Sequence, residues 1–179
     1  MALISTVPLE KAEGIIKEGY DMLMQKVGII PKPLEMMSAS PALFEAQLKR
    51  IHYFATHPRL GFALLAHIRY LTSHCLNYQF CTDFNEFILR KAGVDDETFA
   101  KMKEDPSASL LEDNDKAMLV FVMKAFKNPG SVTADDIQNL KNLGWEESDM
   151  VDALAQSVSM IDHSIMMQVF QMDQNCLVK

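Results

Sequence analysis

Apolar positions recur along this 179-residue chain at intervals of three and four, and no stretch of useful length alternates apolar with polar residues. The pattern predicts helices nearly everywhere. From Leu9 to about Val27, the residues Ile15, Ile16, Tyr20, Met22, Leu23 and Met24 fall at helical spacing, with Pro8 suited to a first helical position. The two prolines of IIPKPLEMM predict a break. Pro41 opens a second helix, capped by Ser40, that runs through Leu43, Phe44, Leu48 and Ile51 to about Ala55. A strongly apolar helix is predicted over about Leu60 to Ser73. After the polar joint SHCLN another follows from about Tyr78 to Ala92, with Gly93 placed as its C′ residue. Asp95 or Asp96 caps a short helix ending near Lys103, and EDPSAS reads as a surface turn. Two further helices are predicted, from about Glu112 to Phe126, stopped by NPGS, and from the cap Thr133 to Asn142, ended by Gly144. A long final helix starts at Glu146 or Ser148 and reaches about Met172. The expected fold is an all-α helical bundle with short connections, one domain over 1–179.

The final helix carries two apolar stripes. Val151, Leu154, Val158, Ile161, Ile165 and Val169 form one; Met150, Ala153, Met160 and Met167, with Ser157 and Ser164, form the other. A helix apolar on more than one face is buried on more than one side. The expectation is a central core helix, and a Met-rich face that meets a second subunit, methionine being adaptable at contacts.

Composition narrows the class. Apolar residues make up 49% and charged residues 23%, a globular profile. The net charge of −7 comes without any basic stripe, so no nucleic-acid partner is expected. MALISTVPLEKAEG lacks the basic and apolar regions of a secretory signal, and no apolar run reaches membrane-spanning length. The sparse, odd set Cys75, Cys81 and Cys176 is no disulfide framework and fits a reducing compartment. The expectation is therefore a cytoplasmic protein without membrane contact.

The candidate chemistry lies in LGFALLAHIRYLTSHCLNYQFCTDFNEFILRKAG. Cys81 falls near a helix start, where unpaired N–H groups favour a thiolate. Asn85 shares its face one turn on, and Cys75 lies six residues before it across the joint. The plain alternative for Cys81 is a small buried apolar residue. His67 and His74 sit two turns apart on one helix, too far to chelate one metal from adjacent turns. No metal-ligand pattern, phosphate loop or nucleophile elbow is present, so neither a metal nor a cofactor is expected. His163, beside Asp162 in the apolar last helix, is a further pocket candidate.

In sequence order, GYDMLMQKVGIIPKPLEMMSASPALFEAQLK, the cysteine-bearing helix with its tail AGVDDETFAKM, and DNDKAMLVFVMKAFKNPGSVTADDIQNLKNLGWEESDMVDALAQ resemble the alkylhydroperoxidase D-like, peroxidase-related proteins of the carboxymuconolactone decarboxylase superfamily. The resemblance covers nearly the whole chain. That family's redox motif is C-x-x-C-x-x-x-H with an upstream glutamate. The resemblance puts Cys81 at the peroxide-reactive position, Tyr78 where the resolving cysteine stands, Asn85 where the histidine stands, and Ala66, beside His67, at the glutamate position. It implies a divergent, antioxidant thiol oxidoreductase centred on Cys81; proximity in sequence, not the motif, offers Cys75 as a substitute resolving thiol or His67 as a substitute base. A small hydroperoxide is the implied substrate, a dithiol the reductant, and a homo-oligomer, dimer or trimer of dimers, the assembly. Two alternatives stand beside it: a catalytically inactive binding or assembly protein on the same fold, and a non-thiol, decarboxylase-like enzyme using His67, His74, Tyr78 or His163 as acid and base.

Overall fold

The computed structural model describes residues 2–173, and among them every regular element is a helix. The chain divides into two compact units, Met1–His57 with Ile165–Gln174, and a second whose body is Pro58–Ser164.

In the first unit, the helix expected from Leu9 begins later. Leu9–Lys11 makes a single 3-10 turn, Ala12 and Glu13 are extended, and Gly14, at φ +53°, turns the chain into α1 (Gly14–Val27). Helix α1 ends at Val27 as expected, and the proline stretch after it also holds a short helix, α2 (Lys32–Met37). Pro31 is its N-cap and Pro33 lies in its first turn, where a helix start leaves N–H groups unbonded in any case. Helix α3 (Pro41–Ala55) follows the predicted bounds; Ser40 occupies the N-cap but its side chain makes no capping bond. Helices α1 and α3 lie together. Gly19 makes that approach possible, because a Cβ there would come within 2.5 Å of the Phe44 ring. Tyr20 meets Phe44 edge-on at 5.7 Å and donates from its hydroxyl to the Val7 carbonyl at 2.9 Å.

The second unit holds α4 (Phe62–Cys75), α5 (Gln79–Lys91), α6 (Asp96–Glu104), α7 (Asp113–Lys127) and α8 (Ala134–Asn142). The long α9 (Glu147–Val169) begins there as well. Helix α4 is the apolar centre of this unit, buried at Leu64, Leu65, Ala66, Ile68, Tyr70 and Leu71, and it contacts both α5 and α7. The cap positions follow local chemistry. Asp95 accepts from Thr98 N at 2.8 Å, and Thr133 with Asp136 closes a capping box at the start of α8. Arg59 reaches the start of α9: its Nε donates to Asp149 Oδ2 at 2.6 Å, its Nη2 to the Gly144 carbonyl, and its guanidinium lies over Trp145.

Helix α9 is a core helix as expected, but its Met-rich stripe is not a face left open for a second subunit. The Met-rich stripe is the interior one, with Met150, Ala153, Ser157, Met160, Ser164 and Met167 all buried within the chain. Ser157 fixes this orientation through a 2.8 Å hydroxyl–hydroxyl bond with the buried Thr72 of α4. A face occupied by the chain's own core has no surface left for a second subunit. The branched aliphatic stripe faces outward instead, with Val151 66%, Val158 48%, Ile165 55% and Val169 59% exposed. Among the described residues no helix is long and apolar enough to cross a membrane.

Candidate functional site around Cys81

The turn between α4 and α5 sets the site. Asn77 takes a left-handed conformation, φ +52°, which asparagine tolerates better than most residues. Its N–H donates to the His74 carbonyl at 3.1 Å, and Tyr78 N–H donates to the Ser73 carbonyl at 2.8 Å. Those two bonds close the end of α4 as a Schellman motif. Tyr78 thereby becomes the N-cap of α5, and Cys81 its third residue, in the turn whose N–H groups lack helical acceptors.

Arg69, which no sequence motif marks, joins this face. Its Nε donates to Asn85 Oδ1 at 2.9 Å, while Asn85 Nδ2 donates to the Cys81 carbonyl at 2.8 Å. Asn85 is 1% exposed, so both halves of its amide are committed inside the protein. Among the described residues no carboxylate pairs with Arg69; its remaining contact is the Phe62 ring, 5.9 Å from the guanidinium carbon. Burial pushes the guanidinium down to about 10, opposed by the Cys81 side chain, and it stays charged at neutral pH. An arginine alone among the Asp, Glu, Lys and Arg types in FALLAHIRYLTSHC was the available signal.

Tyr78 is fully buried, and its hydroxyl finds no partner in normal hydrogen-bond geometry. Burial is the main cause that holds its pKa far above the usual phenol value; the neighbouring Cys81 and Asp162 add to it. Such a hydroxyl donates a hydrogen bond but does not ionise. Cys81 itself is 9% exposed, with Phe80 buried beside it in sequence.

Cys75 ends α4 and is exposed, whereas Cys81 is buried, and neither forms a disulfide. Cys176 lies outside the described residues. His67 stands two residues from Arg69, roughly 200° around α4. Its Nδ1–H donates to the Ala63 carbonyl at 2.8 Å and its Nε2 is buried without a partner, so no hydrogen bond links it to Cys81. Desolvation pushes its pKa down, partly offset by the Ala63 bond. His74 is exposed and stacks on Tyr70 at 6.4 Å; His163 is buried in α9.

A separate apolar groove of 720 Å³ lies between α7 and α9 in the second unit. Phe121, Phe126, Val151, Leu154, Val158 and Ile161 are among its walls, and none of Arg69, Tyr78, Cys81 or Asn85 lines it.

No family model matches the sequence. No curated protein matches it either. Solved structures do share its fold. An uncharacterised peroxidase-related protein from Ralstonia eutropha JMP134, described as an alkylhydroperoxidase AhpD core, superposes with a TM-score of 0.80 at 18% identity, over 97% of this chain and 92% of that one. An uncharacterised peroxidase-related protein from Silicibacter sp. TM1040 superposes with a TM-score of 0.78 at 14% identity, again over 97% and 92%. The chain therefore has the all-α alkylhydroperoxidase-core fold that its order of motifs implied.

Proposed function

We propose that this protein is a peroxide-reducing thiol oxidoreductase in which Cys81 is the reactive thiol. The observation that carries the reading is Arg69, held by Asn85 on the Cys81 face of α5 with no carboxylate paired to it. A cation beside a thiol at a helix start favours the thiolate, which is the nucleophilic form. The Cys81 thiolate attacks one peroxide oxygen and the O–O bond breaks. The departing oxygen takes a proton and leaves as the alcohol, and Cys81 becomes a sulfenic acid. With Tyr78 at the resolving position of the motif that the sequence resembles, the cycle is completed by an external dithiol. One of its thiols displaces water to form a mixed disulfide; its second thiol then releases Cys81 and leaves the reductant as a disulfide. Cytoplasmic location and an antioxidant role accompany this reading. The test follows tert-butyl hydroperoxide loss with dithiothreitol as reductant, using wild type, Cys81→Ser and Cys75→Ser. Consumption abolished only in Cys81→Ser is expected, and equal rates in wild type and Cys81→Ser would sink the proposal.

A second reading, a non-catalytic assembly protein, is favoured by the outward stripe of α9. Val151, Leu154, Val158 and Ile161 follow 3-4-3 spacing, with β-branched valines alternating with larger aliphatics, as in a helix that meets a second copy of itself. Light scattering on wild type and Val158→Lys tests it: an oligomer that dissociates in the variant supports this reading, and a monomeric wild type removes it.

A further inference from the structure

Two donor side chains, Arg69 and Tyr78, stand beside Cys81. Arg69 uses Nε on Asn85, and its two terminal nitrogens make no hydrogen bond to the described residues. Because Asn85 is buried and its other amide atom is tied to the Cys81 carbonyl, the guanidinium fork is held from behind rather than waving free. Tyr78, fully buried, brings a hydroxyl that faces the Cys81 side chain without meeting normal hydrogen-bond geometry to it or to any other described acceptor. A buried donor without a well-formed acceptor is costly, so such a group persists where a ligand or ordered water completes it. The walls are aromatic: Phe62 over the guanidinium, and Phe80 next to Cys81 in sequence. A fixed guanidinium fork plus a hydroxyl donor matches the two oxygens of a carboxylate, and the positive charge repels metal ions. Asp162, a carboxylate whose charge acts on Tyr78, accepts from the N–H of His163 and makes no pair with Arg69.

We infer that Arg69 and Tyr78 form a carboxylate-binding subsite beside Cys81, and that the hydroperoxide reduced here carries a carboxylate. The inference names the substrate class of the site proposed above and rests on that reading for its chemistry, but the subsite itself is testable without it. The probe is acetate, with acetamide as the uncharged control of the same shape, titrated into Cys81→Ser protein and followed by backbone amide NMR shifts. Saturable shifts at Tyr78–Asn85 with acetate and none with acetamide are expected. Arg69→Met should weaken acetate at least ten-fold and Tyr78→Phe several-fold. Should Arg69→Met fail to fold, Arg69→Lys serves, since an ammonium lacks the fork; a ten-fold loss is again expected. Absence of saturable binding, equal response to acetamide, or unchanged affinity in the Arg69 variants would each overturn the subsite. Because Cys81→Ser has no thiol chemistry, a failed titration leaves the peroxide assay standing, and a failed peroxide assay leaves the titration standing.

Discussion

Arg69 and Asn85 are bound across the α4–α5 hairpin, Nε to Oδ1 at 2.9 Å, and the same Asn85 amide grips the Cys81 carbonyl at 2.8 Å. The asparagine thus ties a cation to the turn that carries the thiol while adding no charge of its own. Asn85→Asp keeps the acceptor but adds an anion that pairs Arg69 and stands one turn from Cys81. Both changes disfavour a thiolate. The expected result is a fall of roughly ten-fold in the iodoacetamide rate of Cys81 at pH 7.5, the equivalent of about one pH unit of thiol titration. A rate equal to wild type would show that Arg69 does not govern the thiol.

Asp149 is the buried member of a three-way tie at the start of α9. It accepts from Arg59 Nε at 2.6 Å and from the Glu146 N–H at 2.9 Å, and its side chain is 4% exposed. Asp149→Ala removes a charge-assisted bond and a helix cap together. Arg59, at 39% exposure, turns to water and limits the loss. Unfolding in urea should show about 2–3 kcal/mol lost. A change below about 0.5 kcal/mol, the range of an ordinary surface substitution, would contradict the account.

Asp136 gives the fold an acid-sensitive joint between α7 and α8. The Lys124 ammonium, at 2.7 Å, and the Thr133 N–H hold its carboxyl down to about 2. The folded value lies below the unfolded one, so the carboxylate's contribution is complete above the unfolded carboxylate range near pH 4. It is lost as pH falls toward 2. Asp136→Asn should therefore lower the urea midpoint at pH 7, and the gap to wild type should close between pH 4 and pH 2. A gap that stays constant over that window would assign the effect to packing.

How much of this was readable from the chain depended on whether a feature was local. Thr133 and Asp136 are three residues apart, and their capping chemistry is spelled by that spacing. Pro41 and Gly93 likewise punctuate helices from within their own turns. The prolines of α2 marked the break after α1 but not the short helix they begin, because a proline that ends one helix and a proline that starts the next have the same spelling; the difference is its place in the first turn. Periodicity located both stripes of α9 but could not say which one turns inward. That choice rests on Thr72, 85 residues before Ser157. Cys81 and Asn85 stood out through their spacing and their likeness to a known motif, whereas Arg69 acquires its place only when α4 folds back on α5.

His67 offers the last test, because two roles for it predict opposite results. It lies 3% exposed in α4 with Nε2 unpartnered, its pKa pushed down by desolvation. On this geometry it is a neutral interior residue with an unmet polar atom. The folded value is below the usual histidine value, so the unfolded chain takes up the proton first as pH falls. Stability present at pH 7.5 declines as pH drops through about 6.5. His67→Leu removes both the proton site and the orphan nitrogen. It should leave stability at pH 7.5 within about 1 kcal/mol of wild type, since an apolar replacement of an unsatisfied group is close to neutral. The variant should also lose less between pH 7.5 and 5.5 in urea titrations. Cys81 alkylation should be unchanged, because no hydrogen bond connects the two side chains. A ten-fold fall in alkylation would instead make His67 the base that serves Cys81, and would mean the imidazole turns away from Ala63 to reach it.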